Sequence, residues 1–158
     1  MTTQTSSVVI AKRIKEIIEE SKDLITPIPL ERILYGDPTL IDKYPSASVN
    51  SLTKVRDDQG VSRWRIEFGI QIIIQYGKFQ DVQLNTEQME QIAESVENIV
   101  NTDFTLGLPP GGVAGQDSYV IFGVVRSTDY RLVRMPSAIV QAARLLWRGY
   151  SLEYFQSP

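Results

Sequence analysis

Arg63-Trp64-Arg65-Ile66-Glu67-Phe68-Gly69-Ile70-Gln71-Ile72-Ile73-Ile74-Gln75-Tyr76 alternates residue by residue. The even positions, Trp64 through Tyr76, are all apolar or aromatic, whereas the odd ones, Ile73 apart, are charged, amide or glycine. A period of two belongs to a β-strand with one buried face, since a helix would repeat its apolar positions every three or four residues. Residues 46–56 supply a partner, and Asp57-Asp58-Gln59-Gly60 reads as the turn between them, giving a long hairpin over about 46–76. At about 3.3 Å per residue the second arm approaches about 45 Å. The usual strand is only about 17–20 Å long. Either a bulge at Gly69 breaks the arm, or the tip projects beyond its own domain; the charged tip and apolar base favour projection.

Outward from the hairpin, two helices are expected. Residues 7–24 place Val8, Ile14, Ile17 and Ile18 on one side and Lys12, Arg13, Glu16 and Glu20 on the other. Ser6 or Ser7 is the expected cap, and Pro27 and Pro29 mark the end. The stretch from Tyr35-Gly36-Asp37-Pro38 to Tyr44-Pro45 reads as loop. Asn85 with Gln88 resembles a capping box opening a second helix over 86–101. Its stripe is Met89, Ile92, Ala93, Val96, Ile99 and Val100, with Glu87, Glu90, Glu94 and Glu97 on the opposite side. A Gly/Pro loop over 107–118 then leads to a strand at 119–126. The last segment is read as a strand over about 139–153 with a bulge near Ala143, although Ser137–Ala143 also fits a short helix. The order predicts an α+β fold: an antiparallel β-sheet with a long hairpin and two main helices packed on one face. Residues 1–158 read as a single domain, with the hairpin and the 107–118 loop as assembly extensions.

The 158 residues include no Cys and no His. That removes disulfides, thiolate and imidazole zinc sites, His-activated nucleophiles and imidazole pH switches. Net charge is -3, with 42% hydrophobic residues, and the pI is about 5.0, so bulk attraction to nucleic acid or anionic lipid is not expected. The apolar run Ile70–Ile74 is interrupted by Gln71 and falls far short of the roughly 20 residues of a membrane span. Residues 1–7 carry no signal-peptide features, so a soluble protein made in a cytoplasm is expected. Charge is segregated: residues 57–117 hold 3 Lys/Arg against 10 Asp/Glu, and residues 118–158 hold 5 against 2. An acidic and a basic portion on one chain suit head-to-tail self-association as well as intramolecular pairing.

Carboxylate pairs are the remaining catalytic option. Asp57-Asp58 and Asp37/Asp42 are the candidates for acid–base work or Mg²⁺ binding. Asp57 and Asp58 fall at the hairpin turn, where Asp serves turn geometry and solvent keeps carboxylates ordinary. The 107–115 segment is glycine-rich but lacks the Lys-Ser/Thr ending of a phosphate-binding loop. No catalytic, cofactor or metal residue is therefore assigned. Arg126, Arg131, Arg134, Arg144 and Arg148 suit nucleic acid or, with so acidic a segment available, inter-subunit pairing. Trp64 and Trp147 read as core or interface anchors. Arg63, Trp64, Arg65, Arg144 and Arg148 are the candidate subunit interface; Glu87, Glu90, Glu94 and Glu97 read as a solvated outer face or, in a ring, as the candidate lining of a channel that repels DNA.

The order of these features resembles the small tail-terminator, or tail-completion, proteins of long-tailed bacteriophages. The resemblance covers most of the chain. It runs through Ile33-Leu34-Tyr35-Gly36-Asp37-Pro38, Tyr44-Pro45-Ser46-Ala47-Ser48-Val49, Asn101-Thr102-Asp103-Phe104-Thr105-Leu106-Gly107 and Ala143-Arg144-Leu145-Leu146-Trp147-Arg148-Gly149-Tyr150, besides the N-terminal helix and the hairpin. It implies a homohexameric ring in the virion, assembled in the bacterial host cytoplasm, that caps the tail tube (and sheath, if contractile) and meets neck or connector proteins. It implies DNA only in transit, and no cofactor, enzyme activity or membrane. It carries no individual functional residue across. The alternatives are another ring of the same joint or, from a different class, a small soluble ligand-binding or carboxylate-dependent enzyme domain.

Overall fold

In the computed structural model, residues 6–27, 29–36, 45–58, 63–76, 82–108, 120–135 and 138–154 are described. The elements are α1 (Ser7–Glu20), a 3₁₀ turn (Lys22–Leu24), β1 (Arg32–Tyr35), β2 (Ser46–Asp58), β3 (Arg63–Tyr76), α2 (Val82–Val100), β4 (Phe122–Met135) and β5 (Ala138–Tyr154). The fold is α+β: a five-stranded sheet in the order β1-β2-β3-β5-β4, with two helices on it.

The alternating stretch is the central strand. β3 is unbroken and is paired on both sides, with β2 over Ser46–Asp58 and with β5 from Arg63↔Tyr154 to Tyr76↔Gln141. Its even positions Ile66, Phe68, Ile70, Ile72 and Ile74 are buried. Leu145, Trp147, Val49 and Ala47 join them from the flanking strands, and α1 contributes Ile10, Ala11, Ile14 and Ile18. From α2 come Met89, Ile92, Ala93 and Val96. Polar contacts fix both helices to this same face. The Ser51 hydroxyl donates to the Ser7 carbonyl, Tyr76 to Gln88, and the Gln141 amide to Thr86.

Several expectations are corrected. The sheet is mixed, because β1, within a region read as lacking a strand, pairs in parallel with β2 over Ser46–Val49. Four residues are too few to show a period. Asp57 and Asp58 do not make the turn; they extend β2, paired with Arg65 and Trp64. β5 runs beside β3 to its end, so the distal part of the hairpin belongs to a three-stranded ladder. The irregularity expected at Gly69 lies across from it: the register of β2 shifts between Ser51 and Thr53. The Thr53 hydroxyl leans over Gly69, 2.4 Å from where a Cβ would stand. α2 begins at Val82, so Asn85 lies inside the helix and is not its cap. β5 holds one register with β3 throughout, with neither helix nor bulge near Ala143. The apparent slip came from Gln141, a polar residue on the buried face whose amide nitrogen donates to Thr86. The bulge belongs to β4, between Val125 and Ser127.

β4 is an edge strand, and the loop after α2 covers its first half. The Gly123 N–H donates to the Phe104 carbonyl and the Val125 N–H to Asn101 Oδ1, so these edge groups are not left as a template for foreign strands. Phe104 also reaches Phe122, with ring centroids 5.0 Å apart. The loop is held from within by Asp103, whose carboxylate accepts the Thr105 N–H and O–H and the Gly107 N–H. These bonds, the Thr105 hydroxyl foremost, hold its pKa below the ordinary 3.8. Leu106 and Gly107 take left-handed backbone (φ 57° and 69°), and Arg13 of α1 donates to the Leu106 carbonyl at 2.9 Å.

Candidate functional site

The sheet has two unlike faces. α1 and α2 cover one; the other is buried at the end that carries Ser46, Ser48, Gln75 and Ala142 and opens toward the far ends of β2 and β3. Alternation sends Arg65, Glu67, Gln71 and Ile73 of β3 to this open face, with Arg144, Leu146, Arg148, Tyr150 and Leu152 of β5 beside them. Ile73, Leu146, Tyr150 and Leu152 are half-buried there.

At the distal part of this face lies a concavity of about 260 Å³, lined by Thr53, Val55, Arg65, Glu67, Phe122, Arg126, Arg148 and Tyr150, among others. Its shape follows from three local choices. Gly69, between Thr53 and Arg148 in the register, lets the Thr53 side chain lean over the sheet into the lining. The β4 bulge adds Arg126 at the rim. Arg65 lies over the Tyr150 ring, 4.4 Å from its centroid, and pairs with Glu67 at 3.3 Å, a stacked cation of the kind aromatic faces attract. Arg126 and Arg148 are exposed and, among the described residues, have no ion-pair partner. The site therefore presents three guanidinium groups against one lining carboxylate.

On the covered face, the acidic row of α2 flanks the buried stripe of the helix and runs beside β4. Glu87, Glu90 and Glu94 are exposed and Glu97 is half-buried. Tyr130 of β4 stands beside it: burial, and then the charges of Glu90, Glu94 and Glu97, push its pKa above 10.0.

Of the candidate interface residues, the structure brings Arg65 and Arg148 together in the concavity. Arg144 is placed differently. It pairs with Asp129, its cross-strand neighbour on the open face, at 2.9 Å, with both partly exposed. Trp64 packs against the core, partly buried. Arg63 pairs across with Tyr154, and its side chain is outside the described residues, as is that of Arg134. Arg126, one of the arginines read as suited to inter-subunit pairing, joins Arg65 and Arg148 in the concavity; Glu67, Tyr150 and Thr53 were not assigned to an interface from sequence. Glu67 and Tyr150, some 80 positions apart, are brought together by the β3–β5 register, Thr53 by the β2–β3 register and Arg126 by the bulge of β4.

Among the described residues no group of three or more acidic side chains is placed to hold a metal. Asp57 is exposed on β2, paired across from Arg65. Asp37, Asp42 and nearly all of the 107–118 loop lie outside the described residues, as does the side chain of Asp58. No helix among the described residues is long and apolar enough to cross a membrane. No protein-family model matches the chain, and no curated protein matches it.

Proposed function

We propose that the protein is a structural assembly component: a homo-oligomeric ring, hexameric by resemblance, at the head-proximal end of a phage tail. There it ends polymerisation of the tail tube and joins the tail to the neck. The observation that carries this reading is the unlike pair of sheet faces. One face is buried under α1 and α2; the other, buried at its Ser46/Gln75 end, combines half-buried Leu146 and Leu152 with an arginine-lined concavity where it opens. A solvent face of an antiparallel sheet is ordinarily polar; apolar residues interleaved with arginines suit a surface that meets another protein. The segregation of acidic and basic segments along the chain supports a partner that is a second copy.

The test is direct. Purified protein is examined by light scattering and negative-stain electron microscopy across concentrations, then added to tail-tube subunits during polymerisation. Rings with sixfold views, and tubes capped at one end, are the expected result. A protein that stays monomeric at every concentration and leaves tube length unchanged refutes the proposal.

A further inference from the structure

The acidic row of α2 and the arginine concavity occupy opposite faces of the same protomer, and their dimensions match. Glu87 to Glu97 spans ten residues of helix, about 15 Å at 1.5 Å per residue. Arg148 sits beside Gly69, four residues along β3 from Arg65, so Arg148 and Arg65 are spread over about 13 Å along the strands, with Arg126 at the rim. Resting on the ring reading above, we propose that the Glu87/Glu90/Glu94/Glu97 face of α2 in one copy docks on the Arg65/Arg126/Arg148 concavity of the next. The carboxylates then face a neighbouring subunit instead of a lumen.

Three observations favour this occupant. Arg126 and Arg148 are exposed cations without an ion-pair partner among the described residues, and arginine presents a fork suited to bidentate carboxylate binding. Glu67 already pairs with Arg65, which leaves Arg126 and Arg148 as the cations that a partner's spaced carboxylates would meet. The two patches also lie on opposite faces, so the contact is heterologous: each copy offers its helix to one neighbour and its concavity to the other. Such a contact propagates head to tail and closes into a ring when its rotation allows. A two-fold dimer cannot satisfy it.

The experiment is a charge exchange on the full chain, followed by sedimentation velocity, with circular dichroism and thermal melts as fold controls. The one-sided variants are E90R/E94R and R126E/R148E. Each is expected to weaken self-association at least tenfold, and a chain carrying all four changes is expected to regain it. Mixing the two one-sided variants should also restore assembly, because each then meets its complement. Should a reversed variant fail to fold, E90Q/E94Q and R126Q/R148Q replace it, with the same weakening expected. Assembly of wild type should decline between 50 and 500 mM NaCl. Rings that persist undiminished in both one-sided variants overturn this docking while leaving the ring proposal standing. A wild-type monomer at all concentrations overturns both. A short DNA duplex that binds wild type and is released by R126E/R148E, with oligomerisation unchanged, assigns the concavity to phosphate and also overturns the docking.

Discussion

Trp147 is the largest fully buried side chain, and it lies against two glycines paired across β4 and β5, Gly123 and Gly149. A Cβ at Gly149 would stand 2.2 Å from Cη2 of the indole, and one at Gly123 would stand 2.0 Å from Cζ2. Ordinary contact begins near 3.4 Å, so Gly149→Ala must displace the ring by about 1.2 Å in a core packed like a crystal. Two effects compete. Replacing glycine where the backbone permits alanine stabilises by about 0.4–1 kcal/mol through the unfolded chain. Overpacking a core costs about 1–3 kcal/mol. The clash wins here, because the indole is enclosed on its other side by the sheet core. The expected net loss is about 1–2 kcal/mol, or about 2–8 °C in melting temperature for a chain of this size. Gly69→Ala is the internal control: its Cβ would meet only the Thr53 hydroxyl, a rotatable group on an exposed residue, and should change the melt by less than about 2 °C. The assay is thermal and urea unfolding at low protein concentration, with Trp147→Leu as a second background. Coupling is expected, with Gly149→Ala costing less once the indole is gone. A Gly149→Ala melt within 1 °C of wild type, or equal cost in both backgrounds, refutes the reasoning.

Three further outcomes follow from the loop and the open face. Asp103→Ala removes the acceptor of three hydrogen bonds and should cost about 1–2 kcal/mol by urea unfolding; with the native pKa lowered, the contribution is complete above pH 3.8 and is lost as pH falls through the lower native value, so the mutant and wild-type stabilities should converge in acid. Asp129→Asn breaks a partly exposed pair with Arg144 and should cost about 0.2–1 kcal/mol at low salt, with the difference shrinking at 0.5 M NaCl; a larger, salt-independent loss would show the pair to be structural in another way. Asn101→Ala leaves the Val125 N–H without its acceptor and should cost about 1–3 kcal/mol, read by unfolding, with faster hydrogen exchange at Val125 and Arg126; unchanged exchange would mean the bulge does not depend on Asn101.

What was legible in the chain was whatever one element states alone. β3 announces itself because it is central: buried on one face over fourteen residues, it shows its period without interruption. α2 shows its stripe for the same reason. Partnership between distant segments was less legible. β1 is too short to carry a pattern, and it is a strand only because β2 lies beside it. Asp57 and Asp58 carry turn chemistry, yet β3 beside them holds both in the ladder. Gln141 broke the apolar phase of β5 because its buried amide nitrogen donates to Thr86, 55 residues away. The candidate site shows the same division. Arg65 and Arg148 were singled out as charges, but their meeting with Arg126 over Gly69 is a property of register.

The β4 bulge ties the covered face to the open one. Before it, Gly123 and Val125 face the helices and Val124 faces out; after it, Thr128 and Tyr130 face the helices and Asp129 faces out. Were Arg126 laid into the ladder instead of bulged out, this parity would reverse, because a one-residue slip exchanges faces. Asp129 would then lie under α2, close to Glu90, Glu94 and Glu97, and Arg144 would lose its partner. The insertion thus keeps a carboxylate away from an acidic helix, puts a phenol in its place, and leaves Arg126 at the rim of the concavity. Asn101, at the end of α2, accepts the Val125 N–H beside the bulge, so the helix that carries the acidic row also holds the turn that builds the arginine face. Both surfaces proposed to meet between copies are in this way set by one junction within each copy.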